Sequence, residues 1–370
     1  MNKSSHNSAQ AGSTLFQKGR GIWFAITWLG LVVFASVFAG VLAHPQTGLL
    51  VPYGPETTLG QKNIPPFGGN SHYLGTDQSG HDILASLIHG ARVSLTVGLA
   101  AVGLAAVIGI VVGLMAGYWG DRRFRMRRGT ALSVIPGAFF GWFYGFRLMR
   151  FEMMDAATES MGAFVGMWLQ GVIIAAIIVV FWVWLGKMLS RGKWMGGIIY
   201  FPVDSLIMRI IEVLNSLPLL LVIISLSAIF HGSLWLIVIV IGLTGWTGLA
   251  RLIRAETLRI SEMGYVESGR ALGLGEWRII FTHILPNALP PALIVIAFGI
   301  GNAILAESAL SFLHLVDGTV TWGSLLSGTR SNFSAWWVGV FPGMAIFLTV
   351  LSFNLIGEKL RDIFDPHHVG

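Results

Sequence analysis

From Leu95 to Tyr118 the chain runs without a single charged side chain, and residues 163–185 form a second uncharged run. At 1.5 Å per residue, each is long enough as an α-helix to cross the roughly 30 Å hydrocarbon core of a bilayer. A backbone in lipid must satisfy its own N–H and C=O groups, which leaves helices or closed barrels. Barrel strands alternate apolar and polar residues over about ten positions, whereas these runs are continuously apolar. Composition agrees: 11% of residues are charged, against about 25% in soluble domains. The expected fold class is all-α, a polytopic transmembrane helical bundle.

Several function classes fall away. The net charge of +6 comes largely from basic residues beside apolar runs, where positive-inside topology accounts for them and nucleic acid need not be invoked. There is no cysteine, so disulfide, thiol and iron–sulfur chemistry are excluded. The histidines are scattered without an HExxH pattern, and His367–His368 reads as a solvated tail. No GxxxxGK[ST] phosphate loop is present: Gly186-Lys187 is followed by Met188 and Gly192-Lys193 by Trp194.

The pattern predicts spans at about 22–43, 95–118, 130–148, 163–185, 210–230, 233–252, 289–312 and 338–357, with both termini inside. Residues 1–21 read as a disordered basic cytoplasmic tail. The first run is longer than a signal peptide's apolar region, so a retained helix is expected rather than cleavage after Val41-Leu42-Ala43. Residues 44–90 read as an external loop and 91–120 as the start of the main bundle. Within it Gly109, Gly113 and Gly117 form a small-residue stripe suited to close helix approach. The run DRRFRMRR, Asp121–Arg128, marks the cytoplasmic side. Residues 121–200 then read as a transmembrane hairpin, with acidic Glu152, Asp155 and Glu159 at its turn.

A polar loop, 251–286, separates two later spans within 201–366. Its five arginines and four glutamates nearly cancel, so it is more than an orientation signal. Glu262–Leu272 reads as one short helix and Glu276–Leu285 as a second, broken by Gly273 and Gly275. In the second, Trp277, Ile280, Phe281 and Ile284 share one face at helical spacing, and Pro286 is expected to end it. The expected shape is a helix–turn–helix knuckle; spacing alone names no partner.

This loop resembles the EAA loop of ABC importer permeases: Glu267-Ser268-Gly269, three residues, Gly273, nine residues, then His283-Ile284-Leu285-Pro286. Ser268, Gly269 and His283 depart from the general pattern. Tyr73–Leu95, Val203–Leu221, Ala306–Leu313 and Phe341–Pro366 are similar to segments of the C-type permease subunit of dipeptide and oligopeptide importers, with His81 where that family usually has arginine. The resemblance implies a type I ABC importer permease core carrying an extra hairpin, about eight spans in a bacterial inner membrane. It implies three kinds of partner: a related B-type permease subunit, two cytoplasmic ATPase subunits and an external peptide-binding protein. ATP and Mg would be held by the ATPases, with no cofactor or metal on this chain and no catalysis by it. It also implies that Glu267, Arg270, Ala271, Leu272, Gly273, Leu285 and Pro286 form the surface that couples to an ATPase. Inside the membrane, Glu307 is a costly carboxylate, suited to an anchor or to the translocation path; Asn302 is a second path candidate. A secondary transporter or channel is the rival class, and nickel or another small solute the rival cargo.

Overall fold

The computed structural model describes residues 4–364 except 46–47, 56, 59–61, 69–71, 122–124, 160, 191–196, 219–220, 223–224, 226–232, 316–317 and 331. Most of these residues are helical. Among the described residues five helices are long and apolar enough to cross a membrane, Ile83–Trp119, Gly162–Leu189, Leu234–Ser261, Glu276–Phe312 and Trp336–Phe364, with a shorter apolar stretch at Gly21–Val37.

Helix α1 (Ser4–Val37) reaches back through the stretch expected to be a disordered tail. Extending a formed helix needs one hydrogen bond per residue fixed and no new nucleus. A short α2 (Ala39–Leu42) follows. The long α3 (Ile83–Trp119) begins well before its apolar run. The strands β1 (Arg125–Arg127) and β2 (Ile198–Tyr200) flank α4 (Arg128–Trp142), a π-turn at Phe143–Arg147, α5 (Arg150–Glu159) and α6 (Met161–Leu189). After α7 (Val203–Ser216) the chain leaves the helical region at Leu217, with ψ 124°. Pro218 disfavours helical geometry in the residue before it. The span expected at 210–230 is therefore broken there, and much of its remainder lies outside the described residues. Helices α8 (Leu234–Ser261), α9 (Gly264–Ala271), α10 (Glu276–Ile279), α11 (Leu285–Phe312), α12 (Trp322–Ser327) and α13 (Trp336–Phe364) complete the order.

The chain forms two compact units. The first comprises Met1–Ile110, Pro218–Ile253 and Ser268–Gly370. Its core gathers Val32, Ala91, Leu95, Ile304 and Ile346 around the fully buried Trp322. The indole N–H of Trp322 donates to the Leu87 carbonyl at 3.0 Å, which removes the penalty of burying that donor. Thr321 holds α12 by a reciprocal capping box with Ser324, satisfying two otherwise orphaned N–H groups. Trp28 of α1 donates to Thr349 of α13 at 3.1 Å. Asp82 accepts from the Ala85 N–H at 2.9 Å and so caps α3, while its other oxygen meets His72 Nδ1 at 2.9 Å. Arg92 donates to the Ser36 and Val37 carbonyls, supplying charge and donors where α1 ends.

The second unit is Val111–Leu217 with Arg254–Glu267. Helices α4 and α6 form a hairpin flanked by strands that pair antiparallel, Arg125 opposite Tyr200 and Arg127 opposite Ile198. Its two arms meet along small residues. A Cβ on Gly137 would lie 2.9 Å from Trp182 Cβ, and one on Gly145 only 2.5 Å from the Gly171 carbonyl oxygen. Phe140 and Trp182 stack at 5.7 Å beside this seam. The arm expected at 130–148 is helical throughout, with Pro136 inside α4.

Candidate coupling loop

The polar loop between α8 and α11 is built as a knuckle. Helix α8 continues past its apolar portion to Ser261, α9 comes after a short turn, and a second turn leads into α10. The second turn is a Schellman cap. Leu274 N–H reaches back to the Gly269 carbonyl at 3.1 Å and Gly273 N–H to the Arg270 carbonyl at 3.0 Å. This geometry requires a left-handed residue at Gly273, whose φ is +76°. A Cβ there would meet no atom within 4 Å, so the demand for glycine is one of backbone conformation. Gly269 answers to packing instead: a Cβ on it would stand 3.3 Å from Leu274 Cδ1.

The expected stop at Pro286 does not occur. The chain is helical from Glu276 to Phe312, passing through a π-turn at Ile280–Ile284 and placing Pro286 in the first turn of α11. At a helix start the missing N–H of proline costs nothing, and its fixed φ already suits a helix. The expected apolar face also divides. Ile279, Ile280 and Ile284 are buried, whereas Trp277 is 64% and Phe281 58% exposed. Those two rings stack on each other at 6.0 Å. Leu272, at the tip, is 81% exposed. Glu267 and Ala271 are exposed, while Arg270 and Leu285 are half-buried. Within the first unit the loop therefore presents a leucine tip and two stacked aromatics on a base pinned by buried isoleucines.

Sequence reasoning missed a polar clasp in the second unit. Arg254 of α8 makes a two-pronged ion pair with Asp204 in the first turn of α7. Asp121 accepts from the Ser205 N–H and hydroxyl, and those bonds hold its carboxyl below the ordinary carboxylate range. The partners lie 50 and 84 positions apart, so only the fold pairs them. A double-mutant cycle on Arg254→Ala and Asp204→Asn is expected to give a coupling of about 1–2 kcal/mol in the purified protein's unfolding free energy. Arg254→Lys should recover only part, since an ammonium cannot reproduce the fork. Strict additivity of the two changes would show that the pair contributes nothing.

The remaining candidate residues lie apart from the knuckle. Gly109 packs on Leu249 and the Trp246 carbonyl, and Gly117 on Thr257 and the Arg254 carbonyl. Gly113 is buried. Glu307 is 0% exposed. It accepts from Ser94 at 3.0 Å and Ser311 at 2.7 Å, while the Trp322 N–H lies 3.4 Å from the same Ser94 hydroxyl. Asn302, more than a turn earlier on α11, is exposed.

Long apolar helices with a polar knuckle between two of them define a polytopic helical membrane protein. Comparison with known proteins narrows the class. The family described as "Binding-protein-dependent transport system inner membrane component" matches residues 192–368. The dipeptide transport system permease protein of Alkalihalophilus pseudofirmus is 30% identical, over 80% of this chain and 72% of its own length. The di/tripeptide transport system permease protein of Pseudomonas aeruginosa is 28% identical over 95% of this chain and 89% of its own length. The glutathione transport system permease protein of Pectobacterium atrosepticum is 28% identical over 86% and 80% respectively. The chain belongs to the family of binding-protein-dependent transport system inner membrane components.

Proposed function

We propose that this protein is one permease subunit of an ATP-driven importer of short peptides. It would form half of the translocation path beside a related permease subunit. Two cytoplasmic ATPases would drive it, and an external binding protein would deliver cargo. Both termini and the 251–286 loop then face the cytoplasm, and ATP and Mg belong to the ATPases. The observation that carries this reading is the knuckle: Leu272, Trp277 and Phe281 stand exposed on a polar loop, around a glycine-dependent turn, in a chain of this family. Exposed apolar anchors of this kind mark a protein-binding surface. Glu267, exposed on the same loop, would supply a charged contact. Closure of an ATPase dimer around the knuckle would move α8 and α11, with differential nucleotide binding supplying the free energy.

Peptide is the favoured cargo because relatives matching most of the chain are named as dipeptide, di/tripeptide and glutathione permeases. Asn302 is the residue best placed to line the path, being polar and exposed at mid-span. Glu307 is best explained as an anchor, since its carboxylate is enclosed by serines. Reconstituting the complex in proteoliposomes tests the reading. Uptake of a labelled dipeptide should require ATP, the ATPases and the binding protein together. Uptake by this chain and its permease partner without ATPases would reassign the protein to secondary transport.

A further inference from the structure

The first unit contains a polar cleft of about 450 Å³, lined from one side by Asp77, His81 and Ser86 and from the other by His314, Ser327 and Arg330. Its ionisable lining groups are Asp77, His81, His314 and Arg330. Among the described lining residues the one acid is already engaged. Asp77 Oδ1 accepts from the Ser79 and His81 N–H groups, each at 2.8 Å, and Oδ2 lies 3.1 Å from His81 Nδ1. Of the rest of the polar lining, the Ser324 hydroxyl already donates to the Thr321 carbonyl and the Ser327 hydroxyl to the Ser324 carbonyl, which leaves Arg330 as the principal donor with His314 beside it. The Arg330 guanidinium sits 4.0 Å over the Phe312 ring, which orients its fork.

An independent feature points the same way. His314 ends α11 in the left-handed region, with φ +58°. The bonds Leu315 N–H to Leu310 O and His314 N–H to Ser311 O are those of a Schellman cap, where glycine is the unstrained choice. A histidine there carries backbone strain. In return its side chain enters the cleft, with Nε2 3.3 Å from the Ser327 hydroxyl. The ring at this strained position thus both meets Ser327 and lines the cleft.

We propose that this cleft binds a small ligand through a carboxylate, with Arg330 as the principal anchor and His314 beside it. Resting on the importer reading, that group is the C-terminal carboxylate of a short peptide, held at the receiving face of this subunit. A planar guanidinium fork matches a carboxylate in two parallel hydrogen bonds, and the volume is that of a small-molecule site.

The assembled complex in lipid nanodiscs, with histidine ring-labelled in this chain, tests the site by calorimetry and by the ring signals. The probes are Ala-Ala, Ala-Ala amide and N-acetylalanine. Ala-Ala and N-acetylalanine should bind and shift the His314 signal, and the amide should bind at least tenfold more weakly. Arg330→Gln should lose at least tenfold in affinity for Ala-Ala. His314→Gly should unfold at the same or a higher temperature while binding more weakly, which separates a ligand role from a structural one. Equal binding of the amide, or unchanged affinity in both variants, overturns the site. Binding of N-acetylalanine without Ala-Ala upholds the carboxylate site and overturns its assignment to peptide; the ATP dependence of uptake judges the importer reading separately.

Discussion

Replacing Gly273 by valine is expected to abolish dipeptide-stimulated ATP hydrolysis in the reconstituted complex while the subunit still inserts and assembles. A β-branched side chain cannot comfortably hold φ near +76°, and left-handed geometry costs an L-residue about 1–2 kcal/mol even before branching. The Schellman bonds from Gly273 and Leu274 would open, and the angle between α9 and α10 would no longer be fixed. Leu272 and Trp277, which flank that turn, would lose their fixed spacing. Nothing lies within 4 Å of a Cβ at this position, so the loss is conformational rather than steric. Gly273→Asn is the control: asparagine visits left-handed geometry readily and should retain most of the stimulation. If valine and asparagine behave alike, the turn does not transmit force.

The second large effect is expected at Glu307. Glu307→Ala should destabilise the protein by about 3 kcal/mol or more, because the buried hydroxyls of Ser94 and Ser311 lose their acceptor and a cavity remains. Glu307→Gln keeps the shape and one acceptor oxygen and should cost about 1 kcal/mol. Thermal unfolding in detergent, read beside dipeptide uptake, distinguishes an anchor from a path residue. An alanine variant that is fully stable yet selectively impaired in uptake would place Glu307 on the path instead.

The sequence disclosed the membrane class because lipid imposes a coarse demand, long stretches free of charge, that a single chain displays openly. Helix ends were harder to read. Helices α3, α8 and α13 run beyond their apolar portions to Ile83, Ser261 and Phe364, since hydrogen bonding does not stop where hydrocarbon does. Pro286 looked like a terminator because proline breaks helix interiors, but a π-turn before it makes its position a helix start. The same turn shifts the register, which is why Trp277 and Phe281 parted from Ile280 and Ile284. Gly137, Gly141 and Gly145 carry the four-residue spacing that was noticed only at Gly109–Gly117, so the seam of the hairpin was visible in principle. The Arg254–Asp204 clasp and the His314–Arg330 cleft were not. Each joins segments whose adjacency is a product of packing, and no local spacing announces it.

The strand pair at the foot of the hairpin has a consequence for descent. Because Arg127 and Ile198 sit opposite each other, the excursion leaves the backbone and returns to it at one address. Such a detour can be gained, lengthened or discarded without re-threading the helices downstream.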